Sequence, residues 1–589
     1  MRGLHHSIAG RHALMALAPL CLAGTALAQT TGTATGGTLS YGSTGLGDDT
    51  VTGEGDGTSA AKQPHAPGGR PGSPIKPQRR TKIRPYLEVD QDLLAELTPY
   101  DDVVTYTTLA AGADVSFGGR RTEGAASIRY EHRFFEAGAH GGSDAVSGLA
   151  RVRREILPRT LYFEVGGLAA RTGFTPTGGT LLNTLANNGS TGQIWSVYGG
   201  PALTTHAGVV AINAGYSVGY TEIGSLHSYV PASGGGALDV FDHSLSQQGS
   251  LSASVRPGMV LPFGFGVNGG YLREDVSNLD QRLLDWRAGV QLVQPLTRSL
   301  ALVGDIGWER VEVSQRDAVR DSSGNPVVGA NGRYVTDMTQ PRKMAYETDG
   351  LTWDVGVMWR PSRRTNASFY VGHRYDSMTY YGSFSYNPDR RSSLTVSVYD
   401  GISGFGSSIG NAVQQLPTDF EVSRNPFTGD IGGCAVGTSS GGCVNGVLGS
   451  AASSIFRGRG VNIAYGTQFG HVHAMVGAGY AWRRYIAASG TVLAEANGRV
   501  DRNWYLTGGI SGPIDQRSSY GLTAFGALYR SDRVYAGDAA NWGVIGSLNR
   551  QFTEKLLGTA SLGIEGVNRQ LTPDELDILA RLGLRYIFR

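Results

Sequence analysis

The chain has 589 residues, 51 Lys and Arg against 49 Asp and Glu, a formal net charge of +2 and 87 glycines. Glycine at nearly twice the usual share, with few long apolar runs, argues against a helical bundle; beyond residue 29 no run of about 18 apolar residues offers a membrane-spanning helix. Near-neutral charge without a basic block gives no reason to expect nucleic acid as a partner.

In chain order, Met1 to Ala28 begins with Arg2 and Arg11, continues through the apolar run Ala13 to Leu22 and ends on Ala26-Leu27-Ala28. This is the layout of a secretory signal peptide, so the mature chain is expected to start at Gln29. Cys21 follows Leu20, too bulky for a lipid-attachment box, and falls in the removed segment. Residues 29–80 are rich in Gly, Thr, Ser and Pro, as in Thr30 to Gly37 and Pro67 to Pro74. Such a stretch has too little apolar surface to offset the entropy of ordering and reads as a flexible tail. It cannot build the folded N-terminal plug of an energy-coupled transporter barrel.

From 81 to 589 one unit recurs: about 10 to 15 residues of alternating polarity, then a break. Ala126, Ile128, Tyr130, His132 and Phe134 alternate with Ser127, Arg129, Glu131 and Arg133. Leu284, Trp286, Ala288, Val290 and Leu292 alternate with Asp285, Arg287, Gly289 and Gln291. The cleanest case sets Leu351, Trp353, Val355, Val357 and Trp359 against Thr352, Asp354, Gly356, Met358 and Arg360, and Ala474 to Trp482 repeats it. A period of two with one apolar face predicts strands greasy on one side and wet on the other. A soluble sandwich also alternates, but its inner faces favour large aliphatics over aromatics at strand ends. Trp353 and Trp359 lie roughly 20 Å apart along a strand, which suits one ring in each interfacial girdle of a membrane barrel. Trp286, Trp482 and Tyr586 are assigned to the same girdles.

Short breaks at 118–121, 157–159, 205–207, 294–297, 361–364 and 512–516 alternate with long ones at 173–192, 222–240, 314–348 and 402–454. The pattern predicts an all-β fold: a transmembrane antiparallel up-and-down barrel of about 22 strands, between roughly 18 and 26, with short turns at the periplasmic end and long loops outside. The least secure strand pair, Tyr380 to Tyr386 and Leu394 to Val398, has a hairpin inside an outer loop as its alternative reading.

The polar faces carry both signs of charge. Candidate lumen-facing residues are Arg129, Glu131, Arg133, Arg151, Arg153, Asp285, Arg287, Asp305, Glu309, Asp354, Arg360, Arg374, Asp376, Arg581 and Arg585. Such rows either line a water-filled channel with a mild preference for anions or pair across the barrel. The longest break holds Cys434 and Cys443 in a Gly-rich loop, an even pair compatible with one disulfide in an exported chain. That loop either folds inward as a constriction or covers the outer mouth. Gly406-Ser407-Ser408-Ile409-Gly410 matches a nucleophile-elbow pattern but lacks the strand-to-helix context, and Gly264 to Gly269 matches a dinucleotide fingerprint inside a strand. No spacing suits a metal, no carboxylate dyad can be named, and His471 and His473 read as a surface pair. The chain is expected to be no enzyme and to carry no cofactor.

The last strand, Asp577 to Arg589, places Ile578, Ala580, Leu582, Leu584, Tyr586 and Phe588 on one face and Arg581, Gly583 and Arg585 on the other, with Leu579 and Ile587 as apolar exceptions. An apolar-aromatic strand with Tyr586 and Phe588 resembles the C-terminal signal that outer-membrane proteins show to their assembly machinery, although Arg589 follows the Phe. With Arg391 to Asp400 and Gly477 to Tyr485, the stretch from 81 to 589 resembles the large Gly-rich porin-type barrels of sphingomonad-type bacteria. The resemblance implies an integral outer-membrane protein whose partners are lipid, the assembly machinery and small solutes, and it leaves a homo-oligomer open. The expected function is a passive-diffusion pore for small, mildly anion-selected solutes; an exit pore for exopolysaccharide and a blocked barrel with ligand-binding loops are the alternatives.

Overall fold

The computed structural model describes residues 80–588, apart from 100, 120, 136–142, 175–179, 182–189, 225–239, 390, 437–440, 533–536 and 571–572. The signal peptide, the 29–80 tail before residue 80 and parts of the 173–192 and 222–240 breaks lie outside the described residues.

Twenty-two long strands run antiparallel, each bonded to the next, and the ring closes where Arg80–Thr98 pairs both with Asp102–Gly118 and with Glu575–Ile587. The closing register runs from Tyr86 opposite Ile587 to Thr98 opposite Leu576. Closure leaves no free edge, the condition for strands to cross a membrane. Among the described residues no helix is long and apolar enough to cross one.

The period of two sorts the faces. Leu87, Val89, Ile306, Val355 and Leu582 are exposed on the outside, Leu582 to 69%, while Asp90, Arg129, Glu309 and Arg581 on the alternate positions are buried inside. Such a continuous apolar exterior belongs in lipid. Trp286, Trp353, Trp359 and Tyr586 stand on that exterior, and Trp482 is half-buried under the Arg459 guanidinium, 5.5 Å from its ring centre. Phe588 packs edge-on against Tyr586 with ring centres 5.0 Å apart, and its N–H bonds the Pro85 carbonyl at 2.9 Å.

Both ends of the barrel chain lie at the end with short turns, such as 208–209, 363–364 and 470–471, so this is the periplasmic end. Ser377–Tyr386 and Ser392–Ser403 are full wall strands joined at that end, not a hairpin within an outer loop.

Candidate functional site

The long segment from Gly404 to Ile455 does not cover the outer mouth; it folds into the lumen. It contains the helix Phe405–Gln414, a three-stranded sheet of Glu421–Arg424, Ile431–Val436 and Gly441–Cys443, and the helical turn Asn445–Leu448. Phe405, Ile409 and Val413 form the apolar side of the helix. They pack on Leu149, Leu168, Ile194 and Ile223, apolar residues that face inward from the wall. Further round the ring Phe427 packs on Ile545 and Leu579, so the apolar exception in the last strand is a seat for the plug.

Polar anchoring is equally specific. The buried Glu274 carboxylate accepts from the N–H groups of Gly404 at 2.9 Å and Ser407 at 3.2 Å and from Ser244 Oγ at 2.9 Å. It thereby caps the N-terminus of the plug helix, where unpaired N–H groups and the helix dipole favour an anion. A Cβ at residue 404 would lie 2.6 Å from that carboxylate, so glycine is needed for the approach. Ser408 donates to the Gly404 carbonyl at 2.8 Å and meets Ser403 Oγ at 2.9 Å; it is a buried helix-end residue, not a nucleophile at an elbow.

Wall arginines hold the plug by its carbonyls. Arg581 Nη2 donates to Phe427 O at 3.0 Å, Arg133 and Arg171 to Thr428 O at 3.4 Å each, and Arg483 to Val447 O at 2.7 Å and to Ser450 O. In the plug Arg424 reaches back to Ser127 Oγ at 2.9 Å and Ser147 Oγ at 2.5 Å. Cys434 and Cys443 are bonded, with Cα atoms 4.0 Å apart, and the bridge lies against Gly477, where a Cβ would collide with both sulfurs.

Beneath the plug a buried ion network joins the first, third and last wall strands. Arg581 meets Asp92 at 2.5 Å and Asp90 at 3.2 Å; Arg585 meets Glu88 at 2.6 Å; Arg129 meets Glu88 at 2.9 Å and Glu131 at 3.2 Å; Arg133 meets Glu131 at 2.6 Å. In the plug, burial pushes the Asp430 carboxyl above its ordinary value; Arg171, 3.6 Å away, opposes this and Glu131 adds to it. A second network lies in the opposite sector, with Arg374 on Glu309 at 2.5 Å and Asp285 at 3.7 Å and Arg287 within electrostatic reach of all three. Asp305 accepts from Asn268 at 2.5 Å and Asp354 from Tyr381 at 2.9 Å.

The remaining candidates are scattered. Arg151 pairs with Glu164 at 3.0 Å, Arg153 stacks on Tyr162 at 4.0 Å, and Arg360 is half-buried at the periplasmic end. Asp376 does not face the lumen: it sits in the exposed outer turn beside Tyr375, both with positive φ, because the strand ends at Arg374. Glu274, Asp90, Asp92, Arg424 and Arg483 were not singled out from sequence. The detectable signal was the apolar intrusion at inward positions such as Leu579, which implied something apolar inside.

Between the plug floor and the periplasmic mouth lies a cavity of about 840 Å³, lined on the plug side by Arg424 and Pro426 and on the wall by Arg129, Arg581, Arg585 and small residues such as Ser547 and Thr559. His471 and His473 stand on its rim. Among the described residues no group of three or more His, Cys, Asp or Glu is placed to hold a metal ion.

No protein-family model matches the chain, and no curated protein matches it. Solved structures similar to it include the FrpB iron transporter from Neisseria meningitidis (F5-1 variant), at 12% identity over 86% of this chain and 82% of that one, TM-score 0.39. The copper transporter OprC follows at 13% identity, 87% and 82% coverage and TM-score 0.39. The ferric-catecholate import receptor Fiu from E. coli K12, open form, stands at 10% identity, 85% and 81% coverage and TM-score 0.41. At these identities the likeness is one of fold alone, and it does not reach the finer resemblance to sphingomonad-type porins. The expected passive-diffusion pore is overturned: the segment 404–455 occupies the lumen, and Arg129, Arg133 and Arg581, expected to select ions, are held in buried pairs and by plug carbonyls. A closed ring of 22 strands with an apolar exterior makes the chain an integral β-barrel protein of the bacterial outer membrane.

Proposed function

We propose that the protein is a gated, substrate-selective transport barrel, held shut by its own segment 404–455 and opened when that segment is displaced. The observation that carries this reading is the manner of attachment. The plug's sheet is separate from that of the barrel: Arg133, Arg171, Arg483 and Arg581 bond its carbonyls, Glu274 bonds its amides and apolar side chains pack it on the wall, so it can leave without breaking a barrel ladder. Once it leaves, Arg129, Arg133, Arg581 and Arg585 line the passage. The cavity below has the volume of an ordinary small-ligand pocket, on the order of 300–1,000 Å³, and serves as the periplasmic vestibule.

The test is single-channel recording of the mature protein from Gln29 beside a variant lacking residues 405–454, both refolded. The intact chain should be silent for most of the record and the shortened one should conduct steadily. Equal, steady conductance from both would remove the gate.

A further inference from the structure

One seam of the wall is built unlike the others. Strands Thr365–Arg374 and Ser377–Tyr386, ten residues each, are the shortest in the wall, so the barrel is lowest there. Between Ser377–Tyr386 and Ser392–Ser403 the ladder covers only Gly382 to Tyr386 opposite Leu394 to Val398. Above Gly382 and Val398, toward the outer leaflet, backbone pairing across the seam stops. Two guanidiniums from the next strand, Phe456–Phe469, close the seam in its place. Arg457 bonds Asp400 at 2.8 and 3.0 Å and reaches Ser377 Oγ; Arg459 bonds Asp400 at 2.9 Å and the Met378 carbonyl at 2.9 Å. One carboxylate serves both arginines, which leaves one positive charge uncompensated among these three groups. Arg459 is flanked by Tyr380 and Trp482, at 5.4 and 5.5 Å. Cations beside aromatic rings at the outer end of a strand lie at headgroup depth.

The inner side of the seam is apolar. Tyr375, Ile402 and Ile455 cluster there with Leu272, Leu283, Val311 and Val313. Tyr375 Oη and Thr379 Oγ1 are buried there without a hydrogen-bond partner, a rare condition that a bound polar group relieves. Ser403, at the top of the seam, leads directly into Gly404 and the plug.

From this arrangement we propose that the seam is a lateral portal for an anionic amphiphile of the outer leaflet. Its phosphate or carboxylate head sits on Arg457 and Arg459, its polar linkage meets Tyr375 Oη and Thr379 Oγ1, and its hydrocarbon chain passes between the strands into the apolar cluster around Ile402. The three groups carry one positive charge in excess, so Arg459 can exchange the Met378 carbonyl for a ligand's oxygen while the buried Asp400 keeps Arg457. The inference rests on the gated-barrel reading for what happens next, since the chain enters beside the anchor of the plug helix, but binding at the seam stands without it.

The test is photocrosslinking of the full mature protein in non-ionic detergent with phosphatidic acid carrying a diazirine in its acyl chain, with the matching phosphatidylcholine as control. Phosphatidic acid should label Tyr375, Ile402 or Ile455 inside the barrel, and the zwitterionic lipid should label only the outer wall. Replacing Arg457→Ala and Arg459→Ala should weaken internal labelling by about tenfold or more. A folded lock, Thr379→Cys with Gly401→Cys bonded across the seam, should abolish it while leaving annular labelling intact. Excess inorganic phosphate that eliminates labelling would assign the arginines to the free anion and overturn the portal. So would labelling confined to the outer wall, or internal labelling that the lock leaves unchanged. Conductance of the variant lacking 405–454 is read in parallel, so a failed gate and a failed portal give different results.

Discussion

Asp430 shows how one side chain ties the plug to solution conditions. It sits in a plug turn, outside the membrane-spanning strands, and burial holds its carboxyl above the ordinary value of 3.8, with Arg171 opposing and Glu131 assisting. A carboxyl whose pKa is raised on docking binds its proton more tightly when docked. Its contribution to docking is therefore complete below about pH 4 and is lost as pH rises through the docked value. Channel openings of the intact protein should become more frequent as pH climbs from about 4 toward neutrality, and Asp430→Asn should flatten that rise. An Asn variant with the wild-type profile would place the pH dependence elsewhere. From sequence, Asp430 was one more residue in a Gly-rich break; its carboxyl is raised because docking buries it, with Glu131 adding to the effect and Arg171 and Arg133 of the wall opposing it.

At the scale of elements, the plug helix depends on a group outside itself. Phe405–Gln414 has no side-chain cap of its own, and Glu274 supplies one from the wall. Glu274→Ala leaves two buried N–H groups and Ser244 without that acceptor, at a cost of about 1–3 kcal/mol. Amide hydrogens in 405–414 should then exchange about tenfold faster or more, while those of the wall strands keep their protection. Unchanged protection of the helix would show that its apolar face alone holds it. The wall strands were legible because their alternation is local. The helix was not, because Phe405-Gly406-Ser407-Ser408-Ile409-Gly410 is poor in helix formers. It is helical because Ile409 and Val413 bury against Leu168 and Ile194.

For the whole molecule, the ring is closed by charge as well as by ladder. Arg581 in the last strand bonds Asp92 and Asp90 in the first, and Arg585 bonds Glu88. All three members of the Arg581 set are almost wholly buried. Arg581→Met leaves Asp92 without its basic partner and Asp90 with Arg129 alone, and breaking such a buried network costs about 3–5 kcal/mol. The variant should lose its folded, heat-modifiable band on gels at a distinctly lower temperature than wild type, and Asp92→Asn in the same background should restore part of the loss. A variant as heat-resistant as wild type would mean that the backbone ladder suffices for closure.

The sequence by itself determined the barrel, its approximate strand number, the lipid-facing side of each strand and the end at which the short turns lie. Each of these follows from a period of two and from break lengths, which neighbouring residues encode. The strands read least securely, around Tyr380 to Tyr386 and Leu394 to Val398, share the shortest ladder in the wall, from Gly382 opposite Val398 to Tyr386 opposite Leu394. Only the tertiary structure decided what the inward arginines do. The alternation placed Arg581 on the polar face, but its partner Asp92 lies 489 positions away, fixed by the register with which the ring closes. The same holds for the plug: whether 404–455 lies over the mouth or inside it depends on Leu149, Leu168, Ile194 and Leu579 presenting apolar surface inward from distant strands, a complementarity that no local period records.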